Sequence, residues 1–397
     1  MKEKPTIVSL FSGAGGMDLG FKNAGYEILF ANDFFKEAVD TYKKNVDTNI
    51  IYGDITKIKS SDIPNNPDVI IGGFPCQGFS IANNNRSMND ERNFLYKELL
   101  RIINDKQPKF FVAENVKGLL SMEKGSIINL IINDFEKIGY NVDYKLLNAA
   151  EYGIPQMRQR VIIIGNRIGV KNPFPKPTHY IDKPEEGKIK CPTVKDTIED
   201  LTNIPLSNSI KLDNGKIITG HIAYTNVKDK FYGRKYEVNQ LELCDYLRKY
   251  RSASKLSNKK IAEILGIKQT TVDHWFRNDN NSGSIPDKND YLALKKLLNL
   301  DDTFDKALTE YELKEIKFEQ SLRVTNWDRP SDTITATSPE IHINKTRRLS
   351  VRECARLQTF PDDFEFCGNL EKQYRQIGNA VPVLLAELIA KEIYKFL

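Results

Sequence analysis

The chain has 397 residues, of which 40% are hydrophobic and 28% are charged, and its net charge is +5. This length predicts about two domains, and the composition is typical of a globular protein that buries a sizeable core. No stretch approaches the roughly 18 consecutive apolar residues of a membrane span, and the charged start shows no signal-peptide pattern. Five cysteines without paired spacing indicate the reducing cytoplasm rather than a disulfide scaffold, and the four dispersed histidines predict no metal site.

The first 165 residues alternate apolar runs with longer amphipathic stretches. The runs predict strands at 6–11, 27–31, 68–73, 109–114 and 161–165, and the stretches predict helices at 35–44, 94–104 and 127–138. Such alternation predicts an α/β fold with a mostly parallel sheet and helices on both faces. Because ligands bind at the carboxyl ends of the strands in these sheets, the loops after the strands should carry the chemistry. Near the C-terminus, residues 383–396 predict a closing helix.

The loop after the first predicted strand reads FSGAGGMDLG over residues 11–20 and opens a helix. Its glycines let a ligand approach the backbone, and the helix N-terminus offers free N–H groups. Asp18 stands where a dinucleotide-binding fingerprint needs its third glycine, so that fingerprint matches poorly. Asp33 ends the next strand, where a carboxylate can bind both hydroxyls of a ribose. The pattern favours an adenosine-type cofactor without a pyrophosphate, with a plain tight turn as the alternative.

Three later loops carry candidates for catalysis. Cys76 lies in GGFPCQGFS, residues 72–80, where a glycine-rich loop exposes it and a neighbouring proline stiffens it, as a nucleophile requires. Glu114 ends the next strand at the same edge of the sheet and can act as an acid or, when protonated, as a hydrogen-bond donor. Arg158 and Arg160 lie two residues apart, on one side of an extended segment, and suit polar or phosphate contacts.

Each of these candidates also has a plain structural alternative. An isolated cysteine is commonly an inert small hydrophobe, a glutamate can simply cap a helix, and two arginines can form a charge pair at a strand edge. The polar, glycine-rich surroundings of Cys76 and the neighbouring position of Glu114 favour the functional interpretation.

A proline-punctuated polar stretch from about residue 172 predicts a domain boundary. Residues 221–300 then hold 15 Lys or Arg against nine Asp or Glu, which indicates either an acidic partner or a solvated lysine-rich surface. Within this segment, residues 256–278 show two apolar helical stripes around Gly266, a pattern that predicts a helix–turn–helix. Its second helix offers side chains to the major groove or to phosphates: Gln269, Thr270, Thr271, His274 and Arg277. A helical insertion that only packs and a module that binds an operator are the alternatives.

Taken in order, the motifs of the chain resemble those of the DNA (cytosine-5)-methyltransferases of restriction–modification systems. They are FSGAGG, ND at 32–33, GDI at 53–55, GGFPCQGFS, ENV at 114–116, QMRQR at 156–160, RLSVRECARLQTFP at 348–361 and QIGNAVP at 376–382. The resemblance covers residues 6–166 and 329–390. It implies a Rossmann-like S-adenosylmethionine-dependent methyltransferase domain at 1–170, a target-recognition domain at 171–328, and a segment at 329–397 that completes the catalytic domain.

The resemblance also implies a role for each matching residue. Cys76 would add to C6 of a target cytosine that is flipped out of the duplex. Glu114 would hold N3 and the exocyclic amine of that base, while Arg158 and Arg160 would steady the base and the active-site loop. The cofactor pocket would be formed by Phe11, Gly13 and Gly15, by Asp33 on the ribose, by Asp54 near the adenine, and by Asn379 and Val381.

The expected function is methylation of C5 of a cytosine in a specific duplex DNA sequence, by a cytoplasmic monomer. It would protect host DNA from a cognate restriction nuclease, which is a genetic partner only. One alternative is a tRNA cytosine-5 methyltransferase of the same family, and the helix–turn–helix argues against it. Another is a DNA-binding regulator on a degenerate methyltransferase body, which the presence of Cys76 and Glu114 opposes.

Overall fold

The computed structural model describes residues 3–75, 95–211, 215–225, 227, 232–235, 240–277, 285–310, 312–315, 322–337 and 339–397. The chain forms two compact units, one of Met1–Val227 with Gln320–Leu397 and one of Lys228–Glu319. These units describe packing, so the predicted functional limits at residues 171 and 329 stay a prediction. In the described ranges, no helix has both the length and the apolar character needed to cross a membrane.

Seven strands of the first unit form one sheet in the order β3-β2-β1-β4-β5-β7-β6. They are β1 Thr6–Leu10, β2 Glu27–Asp33, β3 Ile50–Tyr52, β4 Val69–Gly72, β5 Phe110–Val116, β6 Asn141–Asn148 and β7 Gln159–Asn166. The first five run parallel, while β7 pairs antiparallel with both β5 and β6. The predicted α/β fold with a mostly parallel sheet is therefore confirmed.

The helices of the first unit cover both faces of this sheet. They are α1 Gly16–Asn23, α2 Lys36–Asn45, α3 Leu95–Lys106, α4 Ser126–Lys137, α5 Val194–Ile198, α11 Val351–Leu357, α12 Leu370–Asn379 and α13 Val383–Tyr394. Neighbouring residues of β1 face opposite ways: Ile7 packs in the core that contains α13, and Val8 packs in the core that contains α3 and α4. Burial on both faces explains the continuous apolar runs of these strands.

The predicted strands and helices match the observed ones to within two residues at each end. The sequence patterns did not reveal β3 and β6. β3 has only three residues, and β6 is an edge strand whose middle positions are exposed, so neither gives an apolar run. Short paired strands also lie outside the large sheet: β8 His179–Tyr180, β9 Ile189–Lys190, β10 Ser207–Lys211, β11 Ile217–His221, β12 Tyr232–Lys235 and β13 Glu312–Glu315.

The described part of the second unit contains a helical core of its own. Its helices are α6 Gln240–Ser254, α7 Asn258–Leu265, α8 Gln269–Trp275, α9 Lys288–Leu298 and α10 Asp305–Thr309. Ile261 of α7, Val272 of α8 and Leu294 of α9 are fully buried in one cluster. Gly266 separates α7 from α8 in a left-handed conformation, with φ +68°. The two helices thus lie within the predicted range 256–278, but Arg277 follows the end of α8, which stops at Trp275. The use of this pair in reading DNA stays a prediction.

Two glycines allow the end of the chain to pack closely on its beginning. A Cβ added at Gly20 of α1 would lie 2.6 Å from the Val383 carbonyl oxygen, the Ala386 Cβ and the Glu387 nitrogen. A Cβ added at Gly16 would lie 2.5 Å from the Val381 carbonyl oxygen. Because these neighbours are mostly backbone atoms, they cannot move aside as a flexible side chain would. Helix α1 therefore requires glycine where it crosses the C-terminal segment.

Gly20→Ala should lower the free energy of unfolding by about 1–3 kcal/mol, since overpacking α13 outweighs the better helix propensity of alanine. Denaturant unfolding of the purified variant measures this change. Gly118→Ala is the control, because the nearest atom to a Cβ there lies 3.9 Å away. Equal stabilities of the two variants would contradict the packing argument.

Candidate active site

The carboxyl ends of four neighbouring strands meet at one edge of the sheet. Leu10 of β1 lies beside Asn32 of β2 and Gly72 of β4, and Gly72 lies beside Ala113 of β5. The residues that follow these positions are Phe11, Asp33, Gly73 and Glu114. The strand register therefore brings the glycine loop, the acidic second strand and the loop before Cys76 to the same edge.

The glycine loop is bonded directly to Asp33. The Gly13 N–H donates to Asp33 Oδ2 over 2.8 Å, and the Phe35 N–H donates to Oδ1 over 2.7 Å. Burial raises the pKa of Asp33, while these backbone bonds and the charge of Arg375 act in the opposite direction. Since a carboxylate oxygen accepts more than one hydrogen bond, both oxygens can still receive ribose hydroxyls.

The space next to Asp33 suits an adenosine group. A Cβ at Gly13 or Gly53 would meet no atom within 4 Å, so both glycines border open space. Phe34 follows Asp33 directly, and 62% of its side chain surface is exposed. Asp54 is also exposed and accepts a hydrogen bond from the Thr56 N–H over 3.0 Å. The residues present thus fit the adenosine part of S-adenosylmethionine.

Phe34 is a candidate site residue that the sequence motifs did not reveal. Its exposed ring follows Asp33, the candidate ribose-binding carboxylate, and offers a flat apolar surface for an adenine base. The available signal was an aromatic residue at the position immediately after the acidic end of β2.

A buried polar pair lies beneath the glycine loop. The Tyr42 hydroxyl donates to Asp18 Oδ1 over 2.8 Å, and Asp18 is fully buried. A Cβ at Gly15 would lie within 3.0 Å of the Tyr42 ring and 2.7 Å from Val46, so this glycine packs directly on Tyr42. Burial raises the pKa of Asp18 to about 6, against the lowering effect of hydrogen bonds with Ser9 and Tyr42. Asp18 stands where a dinucleotide fingerprint has its third glycine. Here it forms part of the buried pair that supports the loop.

Glu114 and Arg160 form the charged centre of the edge. Arg160 Nε lies 2.8 Å from Glu114 Oε1, and both side chains are 11% exposed. Gly73 backs the carboxylate, since a Cβ there would lie 3.1 Å from Glu114 Oε2. Asn115 Nδ2 donates to the Phe74 carbonyl over 3.0 Å. These contacts hold residues 73–74 beside Glu114, and Cys76 itself lies outside the described residues.

Arg158 has different partners from Arg160. Its Nη1 donates to the Ile334 carbonyl over 3.2 Å and its Nη2 to the Gly378 carbonyl over 2.9 Å. Complete burial lowers the pKa of Arg158 to about 9. The two arginines that the sequence places on one side of an extended segment are thus divided between Glu114 and the C-terminal segment. A role for Arg158 at the base stays a prediction.

The C-terminal motif lies against the first turn of α1. Asn379 ends α12 with an exposed side chain, and Val381 is buried with its carbonyl oxygen against Gly16. This contact places Val381 next to the glycine loop, and its part in a cofactor pocket stays a prediction. In the second unit, Gln269, Thr270 and Arg277 are exposed, and Thr271 and His274 are half-buried.

Comparison with known proteins identifies the family of this arrangement. The family model described as C-5 cytosine-specific DNA methylase matches residues 5–395. Type II methyltransferase M.NgoFVII of Neisseria gonorrhoeae is 35% identical over 98% of this chain and 86% of its own length. Type II methyltransferase M.FnuDI of Fusobacterium nucleatum is 36% identical, with 98% and 93% covered.

A solved structure shows the same fold. The Entamoeba histolytica methyltransferase EhMeth has a TM-score of 0.54 and 13% sequence identity over 100% of this chain and 99% of its own.

The raised pKa of Asp18 predicts how stability changes with pH. Between about pH 4 and pH 6, folded Asp18 keeps a proton that an unfolded aspartate releases, so the wild-type free energy of unfolding falls as pH rises through this interval. Asp18→Asn keeps an acceptor for the Tyr42 hydroxyl and removes this effect. The stability of the variant relative to wild type should increase by about 2–3 kcal/mol over this interval, as measured by denaturant titration. A difference that does not change with pH would contradict the assignment.

Proposed function

The chain belongs to the C-5 cytosine-specific DNA methylases, and we propose that it methylates C5 of one cytosine in a specific duplex DNA sequence, with Cys76 as the nucleophile. The observation that carries this proposal is the buried Arg160–Glu114 pair, which lies directly beside the chain segment that leads into Cys76. S-adenosylmethionine is the methyl donor of this reaction and supplies an electrophilic methyl group when bound.

The thiolate of Cys76 would make C5 of cytosine reactive enough to accept the methyl group. C5 of cytosine is a weak nucleophile, and addition of the thiolate to C6 moves electron density onto C5. After C5 has gained its methyl group, loss of the C5 proton restores the ring double bond and expels the thiolate. A stacked base exposes none of these atoms to Cys76, so the cytosine must leave the duplex and enter the site.

Glu114 would act at N3 of the flipped base. A proton shared between the carboxyl group and N3 balances the negative charge that the thiolate brings to the ring. Arg160 Nε holds Glu114 Oε1, and the base would meet the other carboxyl oxygen, Oε2. Burial of both side chains strengthens these contacts because little water competes with them. Arg160 is thereby the orienting partner of Glu114.

The cofactor would be held by residues from both ends of the chain. Asp33 would accept the ribose hydroxyls, Asp54 would lie near the adenine and Phe34 would stack on it. The methionyl part would lie along the glycine loop: Phe11, Gly13, Gly15, Asn379 and Val381. Tyr42 and Asp18 would support that loop from beneath.

The target-recognition region would be residues 171–328, with α8 as the helix that contacts the DNA. Gln269 and Thr270 of this helix are exposed, as is Arg277, which follows its end. Its apolar side, Val272 and Trp275, is buried in the core of the second unit. The relatives named as Type II methyltransferases support a role in protecting host DNA from a cognate restriction nuclease. We place the protein in the cytoplasm as a monomer.

Methyl transfer to a mixed-sequence plasmid, followed by nucleoside analysis, tests this function. Wild type should form 5-methylcytosine in DNA, and Cys76→Ala should form none because no adduct can form at C6. Glu114→Gln should lower kcat by roughly 10²–10⁴-fold. Cys367→Ala is the control, since this half-buried cysteine touches the site through no described contact and should retain wild-type activity.

Three results would contradict the proposal. They are 5-methylcytosine formed by Cys76→Ala, label found in tRNA and absent from DNA, and specific DNA binding by wild type without any methyl transfer.

A further inference from the structure

A basic cleft lies at the base of the α7–α8 helix pair. It has a volume of about 580 Å³ and is bordered by the end of α6 and by the first residues of α7 and α8. Among the described residues that line it, Arg251, Lys255 and Lys259 are cationic and Asp273 is acidic. Gln269, the first residue of α8, also lines it, so the cleft adjoins the helix that is proposed to read bases.

Some lysines of the second unit are paired with acids, and in the part of the chain that the structure describes the two lysines of the cleft are not. Lys260 pairs with Glu263, and Lys295 pairs with two aspartates. Lys255 and Lys259 are both exposed, and neither forms a salt bridge with any residue in the described ranges. An anion that enters the cleft therefore meets two lysines that have no ion-pair partner among the described residues.

Arg251 is held in place by its neighbours. Its Nη1 donates to Asn258 Oδ1 over 2.7 Å, and its guanidinium lies 4.9 Å from the centre of the Phe276 ring. Asn258 Nδ2 in turn donates to Asp273 Oδ1 over 2.9 Å. Asn258 thus engages Asp273 and fixes Arg251, whose remaining N–H groups can bind an oxyanion.

The start of α7 adds to the positive potential. Ser257 caps this helix by accepting a hydrogen bond from the Lys260 N–H, and its first turn contains no acidic residue. The first N–H groups of a helix have no acceptor within the helix, and its dipole favours an anion there. Helix geometry and side-chain charge therefore act in the same direction.

We infer that this cleft binds a backbone phosphate of duplex DNA and so fixes the position of α8 on the duplex. The inference rests on the proposed function, in which duplex DNA is the substrate. Phosphate contacts position a protein without reading sequence, whereas the exposed face of α8 contacts bases. The lysines of the cleft and the polar residues of α8 thus have separable tasks.

The test uses the full-length protein and a mixed-sequence DNA duplex, with affinity measured by fluorescence anisotropy at several salt concentrations. The double variant Lys255→Asn with Lys259→Gln removes both unpaired charges. Asparagine suits position 255 because the backbone there is left-handed, with φ +59°. Lys296→Gln is the matched control, since this exposed lysine of α9 does not line the cleft.

The double variant should bind roughly 10–100-fold more weakly near 0.1 M salt, and the slope of log affinity against log salt should become shallower by about 2. The loss should be the same on every duplex sequence, while Lys296→Gln should keep the wild-type slope. Thermal melting confirms that each variant is folded.

A wild-type slope in the folded double variant would overturn the inference, and so would a loss restricted to one sequence. The proposed function fails by a different result, which is the absence of 5-methylcytosine from DNA treated with wild-type protein.

Discussion

The close contact between α1 and the C-terminal segment is the constraint on which the site depends. Gly16 and Gly20 bring Val381 and α13 against the helix that opens from the glycine loop. Arg158 adds a second connection, because its two bonds join the start of β7 to carbonyls of Ile334 and Gly378. Residues from both ends of the chain can therefore border one pocket, although residues 171–328 separate them in sequence.

Two acidic residues of the site, Glu114 and Asp18, are buried with different kinds of partner. Glu114 is buried with a cationic partner at 2.8 Å, so it is held in one orientation at the place where a base would enter. Asp18 is buried with a hydroxyl instead, and the pKa of this carboxyl group rises to about 6 because burial disfavours its charge. The first arrangement suits a group that acts on a substrate, and the second suits a group that supports a loop.

The sequence predicted most of the sheet because strands that are buried on both faces consist of consecutive apolar residues. The sequence did not reveal β6, because this edge strand has exposed middle residues that form no apolar run. It placed Arg158 and Arg160 on one side from their spacing, but spacing does not show which carbonyls a long side chain reaches. The sequence did not reveal Phe34 either, because only the fold shows that its ring is exposed beside Asp33.

The proposed reaction depends on covalent addition of Cys76 to the target base, and trapping the adduct tests this step. Duplex DNA synthesised with 5-fluorocytosine in place of cytosine carries no C5 proton, so the thiolate cannot be expelled after methylation. With S-adenosylmethionine, wild-type protein should form a complex with this DNA that survives denaturation, joined through the peptide that contains Cys76. A complex joined through another residue, or none in a preparation that methylates ordinary DNA, would contradict the account.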